Sequence, residues 1–189
     1  MKYILLSLVI SLFWVAPSAH SWQLDANESN VNFVSIKKGN IAETHTFSDL
    51  SGSITENEGV LIIKPDSIDS KVPIRDERMR EFLFETNLYP TIVVSIALDE
   101  GLDKLIKNKT IAVTLPATLE MHGQQAEVNV NARVTQVDDS TLLVTSTSSV
   151  LVKATTFKMV EGIQKLSSLV NGLDIAEMVP VNFSLVFSK

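Results

Sequence analysis

Apolar and polar residues alternate with period two along most of the chain, the pattern of strands that bury one face. "SNVNFVSI" (29–36) alternates around Val31 and Phe33, and "GVLIIKPDSI" (59–68) is a short apolar strand with its exit. "TIVVSIALDE" (91–100) sets Ile92, Val94, Ile96 and Leu98 on one face. "TIAVTLPATLEMHG" (110–123) continues with Ile111, Val113, Leu115, Ala117, Leu119 and Met121, and Pro116 suits an edge or bulge. "AEVNVNARVTQV" (126–137) alternates Val128, Val130, Ala132 and Val134, and "STLLVTSTSSVLV" (140–152) and "VPVNFSLVF" (179–187) complete the set. Gly123-Gln124 and Asp138-Asp139 stand where tight turns are needed, so the later strands are expected to pair antiparallel.

Two segments read as helices. Val160, Ile163, Leu166, Leu169 and Val170 recur at helical spacing over 158–171, with Gly172 as the stop. The other lies in "IRDERMREFLFETNLYP" (74–90), where five charged residues over Arg75 to Arg80 come shortly before Phe82-Leu83-Phe84. Over 75–84, Asp76 is expected to cap a short helix and Glu77 to favour its positive end. Met79, Phe82 and Leu83 then turn toward the core, with Arg78 and Glu81 facing water. Arg75 and Asp76 are expected to form a structural ion pair, and Pro90 to launch the strand at Thr91. Seven or eight strands with two helical inserts suggest an all-β barrel or sandwich. Alternation on so many strands favours a closed antiparallel barrel, because closure removes exposed edges.

The start of the chain changes the count. Met1-Lys2, the apolar run Tyr3–Ala16, Pro17 and the small residues of Ala19-His20-Ser21 have the order of a secretory signal peptide. Cleavage is expected after Ser21, giving a signal over 1–21 and one domain over 22–189. The run is short for a membrane span, which needs about 20 residues, and no Cys stands at the cleavage point for lipid modification. Of the 189 residues, 168 then remain, enough for one domain with a core. Loss of Lys2 turns the 16 basic and 22 acidic residues into 15 and 22, a net charge of −7. That balance argues against a nucleic-acid partner. With no Cys, there is neither a disulfide nor a thiolate site. No further apolar run is long enough to span a membrane, and the periplasm of a Gram-negative-type cell is the expected location.

Catalytic motifs are absent. His45 and His122, the two histidines outside the signal, lack a partner at metal-ligand spacing and read as surface or turn residues. No nucleophile elbow, zinc motif or phosphate loop occurs. No catalytic residue, metal or cofactor is therefore expected. An eight-stranded barrel can be filled by side chains or can hold one slender ligand. Patterning alone favours a packed core, while Ala117, Ala132 and Ser95 either leave room for a chain-like ligand or face outward.

Several stretches resemble the YceI-like family. "WQLDANESNVNFVSIKKG" is similar to the family's opening, an aromatic, Leu-Asp, then Ser-x-Val-x-Phe. "THTFSDLSGSI" (44–54) resembles its Phe-x-x-(Phe/Leu)-x-Gly-x-Ile strand, and "IRDERMREFLFETNLYP" its Arg-Asp helix with a Phe pair and Tyr-Pro. "LPATLEMHGQQAEV" (115–128) resembles its Leu-Thr-(Leu/Met)-x-Gly hairpin. The family's Phe pair is Leu83-Phe84 here, and "VKATTFKM" (152–159) lacks the Arg and Gly of the family's stretch around Phe157. The resemblance implies an exported, lipocalin-like antiparallel barrel of about eight strands that binds a polyisoprenoid chain, either an isoprenoid quinone or a polyprenyl lipid. On that reading Phe33, Phe47, Val94, Leu119, Val130 and Phe183 are candidate lining residues. Met79, Phe82 and Phe84 are the apolar side of a helical lid over the ligand's tail. The expected partner is a long-chain isoprenoid lipid, with a homodimer left open. The alternative is a non-catalytic envelope stress or structural protein with a filled core.

Overall fold

The structure, a computed structural model, describes residues 21–98 and 110–189. The expected signal segment, Ser21 apart, and the last two residues of the strand expected over 91–100 lie outside them. The first strand, β1 (Trp22–Lys37), is long enough to pair along different lengths with three others. Its inner stripe runs Val31, Phe33, Ser35, Lys37. A bulge over 26–29 interrupts it, built by Asp25 Oδ1, which accepts the Asn27 and Glu28 amides. β2 (Ile41–Phe47) pairs with the second half of β1, and β3 (Leu50–Ile54) with its start. Together they act as one strand broken at Ser48-Asp49. Ser67 Oγ holds that break by accepting both amides, at 3.2 and 2.9 Å.

From β3 the sheet continues antiparallel through β4 (Glu58–Ile63), β6 (Ile92–Ala97), β7 (Thr110–Met121), β8 (Gln124–Gln136) and β9 (Thr141–Ser146) to β11 (Met178–Ser188). The two-residue β5 (Ile68–Asp69) sits beside β2, and β10 (Val150–Lys153) prolongs β9 along β11. β11 then pairs with β1 from Gln23↔Ser188 to Phe33↔Val181, closing an eight-stranded antiparallel barrel. In the β1 bulge Ser29 Oγ donates to the Val186 carbonyl and accepts its amide at 2.9 Å, so the seam has no gap.

Both helical segments lie at one end of the barrel, with the β1–β2 and β7–β8 hairpins. The β7–β8 turn is His122-Gly123, one residue earlier than the Gly123-Gln124 expected. Met121 pairs with Gln124, and the two loop residues have the positive φ of a type I′ turn, 51° and 66°. The first helical segment is α1 (Pro73–Arg78) followed by a π-turn over Met79–Leu83. Asp76 does not cap it. Pro73, with its fixed φ, opens the helix three residues earlier, and buried Asp76 Oδ1 accepts the Ser70 amide at 2.8 Å. Arg75 pairs with Glu43 rather than Asp76.

In the π-turn the Phe84 amide reaches back five residues to the Met79 carbonyl. The wider turn brings Leu83 and Phe84 over Met79 and swings Phe82 off that face. α2 (Val160–Ser168) packs on this turn. Asn171 and Gly172, both left-handed, end its C-terminal turn, and the Gly172 amide donates to Ser167. The packing depends on Gly162, where a Cβ would stand 2.3 Å from the Phe82 carbonyl oxygen and 3.0 Å from the Leu83 Cα. Both obstacles are backbone. Gly162→Ala is therefore expected to destabilise the protein by about 1–3 kcal/mol in urea unfolding, despite alanine's better helix propensity. An unchanged midpoint would show that α2 does not bear on the π-turn.

Candidate functional site: an apolar cavity with a charged mouth

The barrel is not filled. A cavity of about 510 Å³ runs inside it, walled by the inner stripes of the strands and bordered at the helical end by Met79, Leu83, Phe84, Met159 and Ile163. The reason lies in side-chain length. Much of the inner wall is valine and alanine, including Val94, Val113, Val128, Val130, Ala132 and Val144. Such residues are too short to meet across the axis. Val94, Val128, Val144 and Phe183 point inward yet stay only half-buried, because part of each faces the empty interior. Ala117 and Ala132 are buried on the inner face, whereas Ser95 alternates to the outside between Val94 and Ile96.

Of the residues expected to line a ligand site, Phe33, Phe47, Met79, Phe84, Val94, Leu119, Val130 and Phe183 all border this cavity. Phe33, Phe47 and Phe84 form one cluster with centroids 5.5–6.2 Å apart, so the π-turn closes on β1 and β2 through an aromatic contact. Phe82 does not join them. Turned away by the π-turn, it packs toward α2, with Lys165 Nζ 5.4 Å from its ring.

The helical end carries the polar residues that the sequence reading missed. Continuing the β1 stripe past Phe33 brings Ser35 and Lys37 inward, and β2 contributes Phe47 and His45. Both stripes were readable by period two, but the apolar search stopped where they turned polar. His45 was expected as a surface or turn residue; it is 1 % exposed, its ring tilted against Phe33 at 5.0 Å, with Nε2 2.8 Å from Ser35 Oγ. Its Nδ1 is buried without a partner. Burial, and then the Arg75 charge, hold the His45 pKa below its ordinary 6.5. Glu43 takes Lys37 Nζ on one side and the two Arg75 Nη atoms, at 3.1 and 3.2 Å, on the other. The Lys37 hydrogen bond, with both cations' charge, lowers its pKa against the opposing effect of burial. Arg78, expected in water, is half-buried and borders the cavity mouth.

His122 fastens this end. Its half-buried ring packs against Tyr89, 4.3 Å away, with Nε2 2.7 Å from Glu85 Oε2 and Nδ1 3.1 Å from the Phe157 carbonyl. One turn histidine thus ties the β7–β8 hairpin to the exits of the π-turn and β10. Among the described residues no group of three or more His, Asp or Glu could hold a metal, and no helix is long and apolar enough to cross a membrane.

A closed eight-stranded antiparallel barrel around an apolar cavity, lidded at one end by two helical segments, defines a lipocalin-like class of protein. The chain belongs to the YceI-like family, whose domain model matches residues 22–187. Among solved structures it is similar to a polyisoprenoid-binding domain from Saccharophagus degradans implicated in plant cell wall breakdown. The two are 33% identical over 88% of this chain and 97% of that one, with a TM-score of 0.85. BcnA of Burkholderia cenocepacia shares the fold at 21% identity, covering 86% of this chain and 98% of that one, with a TM-score of 0.67. The YCEI protein of Campylobacter jejuni does so at 14% identity, 73% and 82% coverage, and a TM-score of 0.50. No curated protein matches the chain.

The buried histidine gives a pH dependence. With its folded pKa below 6.5, the unfolded state binds more protons than the folded state as pH falls through that value. The neutral-His45 contribution is thus complete above the unfolded pKa and declines as pH drops from about 6.5 toward the folded value. Glu43 adds its own loss only below its ordinary 4.5. Urea unfolding at pH 7.5 and 5.5 should show the lower stability at 5.5, with a smaller difference in His45→Gln. An equal difference in that variant would assign the pH dependence elsewhere.

Proposed function

We propose that the protein is a non-catalytic binding or carrier protein that holds a long-chain polyisoprenoid, an isoprenoid quinone or a polyprenyl lipid, inside its barrel. The observation that carries this reading is the 510 Å³ apolar cavity in a closed barrel of this family. Its volume falls within the roughly 300–1,000 Å³ of small-ligand sites. Burying each CH₂ of a tail is worth about 0.8 kcal/mol, so several isoprene units bind firmly with few polar contacts. The Saccharophagus degradans relative, described as polyisoprenoid-binding, supports the same class of ligand. A filled-core structural protein would have no such space. The export-type segment over 1–21 and the location it suggests, the periplasm, fit a carrier of lipids too insoluble to cross water alone.

Native mass spectrometry with lipid extraction, on protein purified undenatured from its own cell envelope, tests this. A non-covalent adduct with an isoprenoid's mass is expected. Ala132→Phe, which fills the inner wall, should lower bound lipid at least about tenfold while the protein stays folded. Repeated preparations free of lipid, or full occupancy in the filled variant, would refute the reading.

A further inference from the structure

Ten large apolar side chains are exposed among the described residues, and five of them stand around the cavity mouth. Ile41 pairs with Lys37 on the β1–β2 hairpin, Val72 and Ile74 flank the Pro73 that opens α1, and Leu169 and Val170 follow the last residue of α2. Three contacts hold these segments together. The Arg75 guanidinium reaches Glu43 of the hairpin, the Lys38 amide donates to the Asp174 carbonyl at 3.0 Å, and Lys37 bridges to Ile175. The hairpin thus touches α1 and the exit of α2.

Polar and apolar groups here stand in the reverse of their ordinary surface order. Lys37, Arg75 and Arg78 border the cavity and are half-buried, whereas Val72, Ile74 and Val170 border it and are exposed. Aliphatic side chains are therefore outermost, with the charges drawn in behind them, and an apolar surface runs unbroken from the interior to the outside. At 36–52 % exposure, the five side chains present roughly 400 Å² of apolar area, a patch large enough to mark an interaction site. A stable protein interface buries about 800 Å² on each partner, twice what this rim offers. A lipid surface needs no matching shape and takes up each protruding side chain separately. Charge is no obstacle. Segments 37–43, 69–78 and 169–176 hold five basic and five acidic residues, so the rim is neutral on a chain of net charge −6.

We infer that this rim docks the barrel mouth-down on a phospholipid surface, with Ile41, Val72, Ile74, Leu169 and Val170 inserted among the lipids. The docking itself needs no cargo. Its use rests on the lipid-binding reading: a chain that moves between the lipid layer and the cavity then stays in apolar surroundings throughout.

Co-flotation with vesicles of phosphatidylethanolamine and phosphatidylglycerol tests this, on protein purified from its own cell envelope. Ile41 and Leu169 do not border the cavity, so Ile41→Asn combined with Leu169→Asn strips the rim and leaves the lining intact. The wild type is expected to float with the vesicles, and the double variant to bind at least about tenfold more weakly at an unchanged urea midpoint. Should the pair lower that midpoint, Ile41→Asn alone is expected to show an intermediate loss. Raising salt from about 0.1 to 0.5 M should change wild-type binding by less than about twofold, because insertion rather than charge holds the protein. The double variant should bind detergent-solubilised polyprenol within about twofold of the wild type, yet take it up from vesicles at least about tenfold more slowly. Vesicle binding that salt abolishes, or that survives in the double variant, would overturn the rim as the docking face. So would a wild-type dimer that the double variant loses, since the rim would then belong to a second copy. Intact flotation without polyprenol binding from detergent would uphold the docking surface and remove only the carrier reading.

Discussion

β11 lies against β1 from Ser188 to Val181, and this pairing of the last strand with the first turns a long antiparallel sheet into a tube. Closure fixes the circumference, and the circumference decides what the interior can be. An eight-stranded tube is filled only if long side chains meet at its axis. Here the wall is rich in valine and alanine, so closure leaves a cavity rather than a core. The seam is formed between residues far apart in sequence, as in the contact of Ser29 with Val186, 157 positions apart. Its loop-closure entropy must be met before the barrel gains anything from closing. The bulge at 26–29, stitched by Ser29 and Asp25, shifts the register between the two strands without leaving the seam open.

The rest of the architecture gathers at one end of the barrel. The π-turn over Met79–Leu83 and α2 share the end where the inner stripes become polar. The extra residue per turn aims Phe84 into the Phe33–Phe47 pair and releases Phe82 to α2, while Gly162 lets the two backbones meet. His122 then links the hairpin beside them to Glu85 and to the Phe157 carbonyl. Apolar lining, aromatic closure and a charged mouth therefore follow one another along the axis of one cavity.

Strand parity was legible because a period of two permits only two registers, and the wrong one would expose an apolar stripe. That is why Val94, Leu119, Val130 and Phe183 stand on the cavity side as the alternation requires. The helical insert was legible as a helix but not in its geometry. Nothing in "MREFL" announces a π-turn, and helical spacing alone placed Phe82 inward. The Asp76 cap failed because Pro73 moves the helix start, and the Arg75–Asp76 pair failed because cross-strand Glu43 offers a better partner. The charged mouth was the largest omission. Ser35, Lys37 and His45 continue stripes already recognised, but their joining with Arg75 and Arg78 depends on contacts between distant segments.

A crystal structure of the protein saturated with a polyprenyl lipid of defined length tests the central claim most directly. The account requires continuous density for an extended chain inside the barrel, against Leu119, Val130 and Phe183. An empty or side-chain-filled interior, with lipid only on the outer surface, would contradict it.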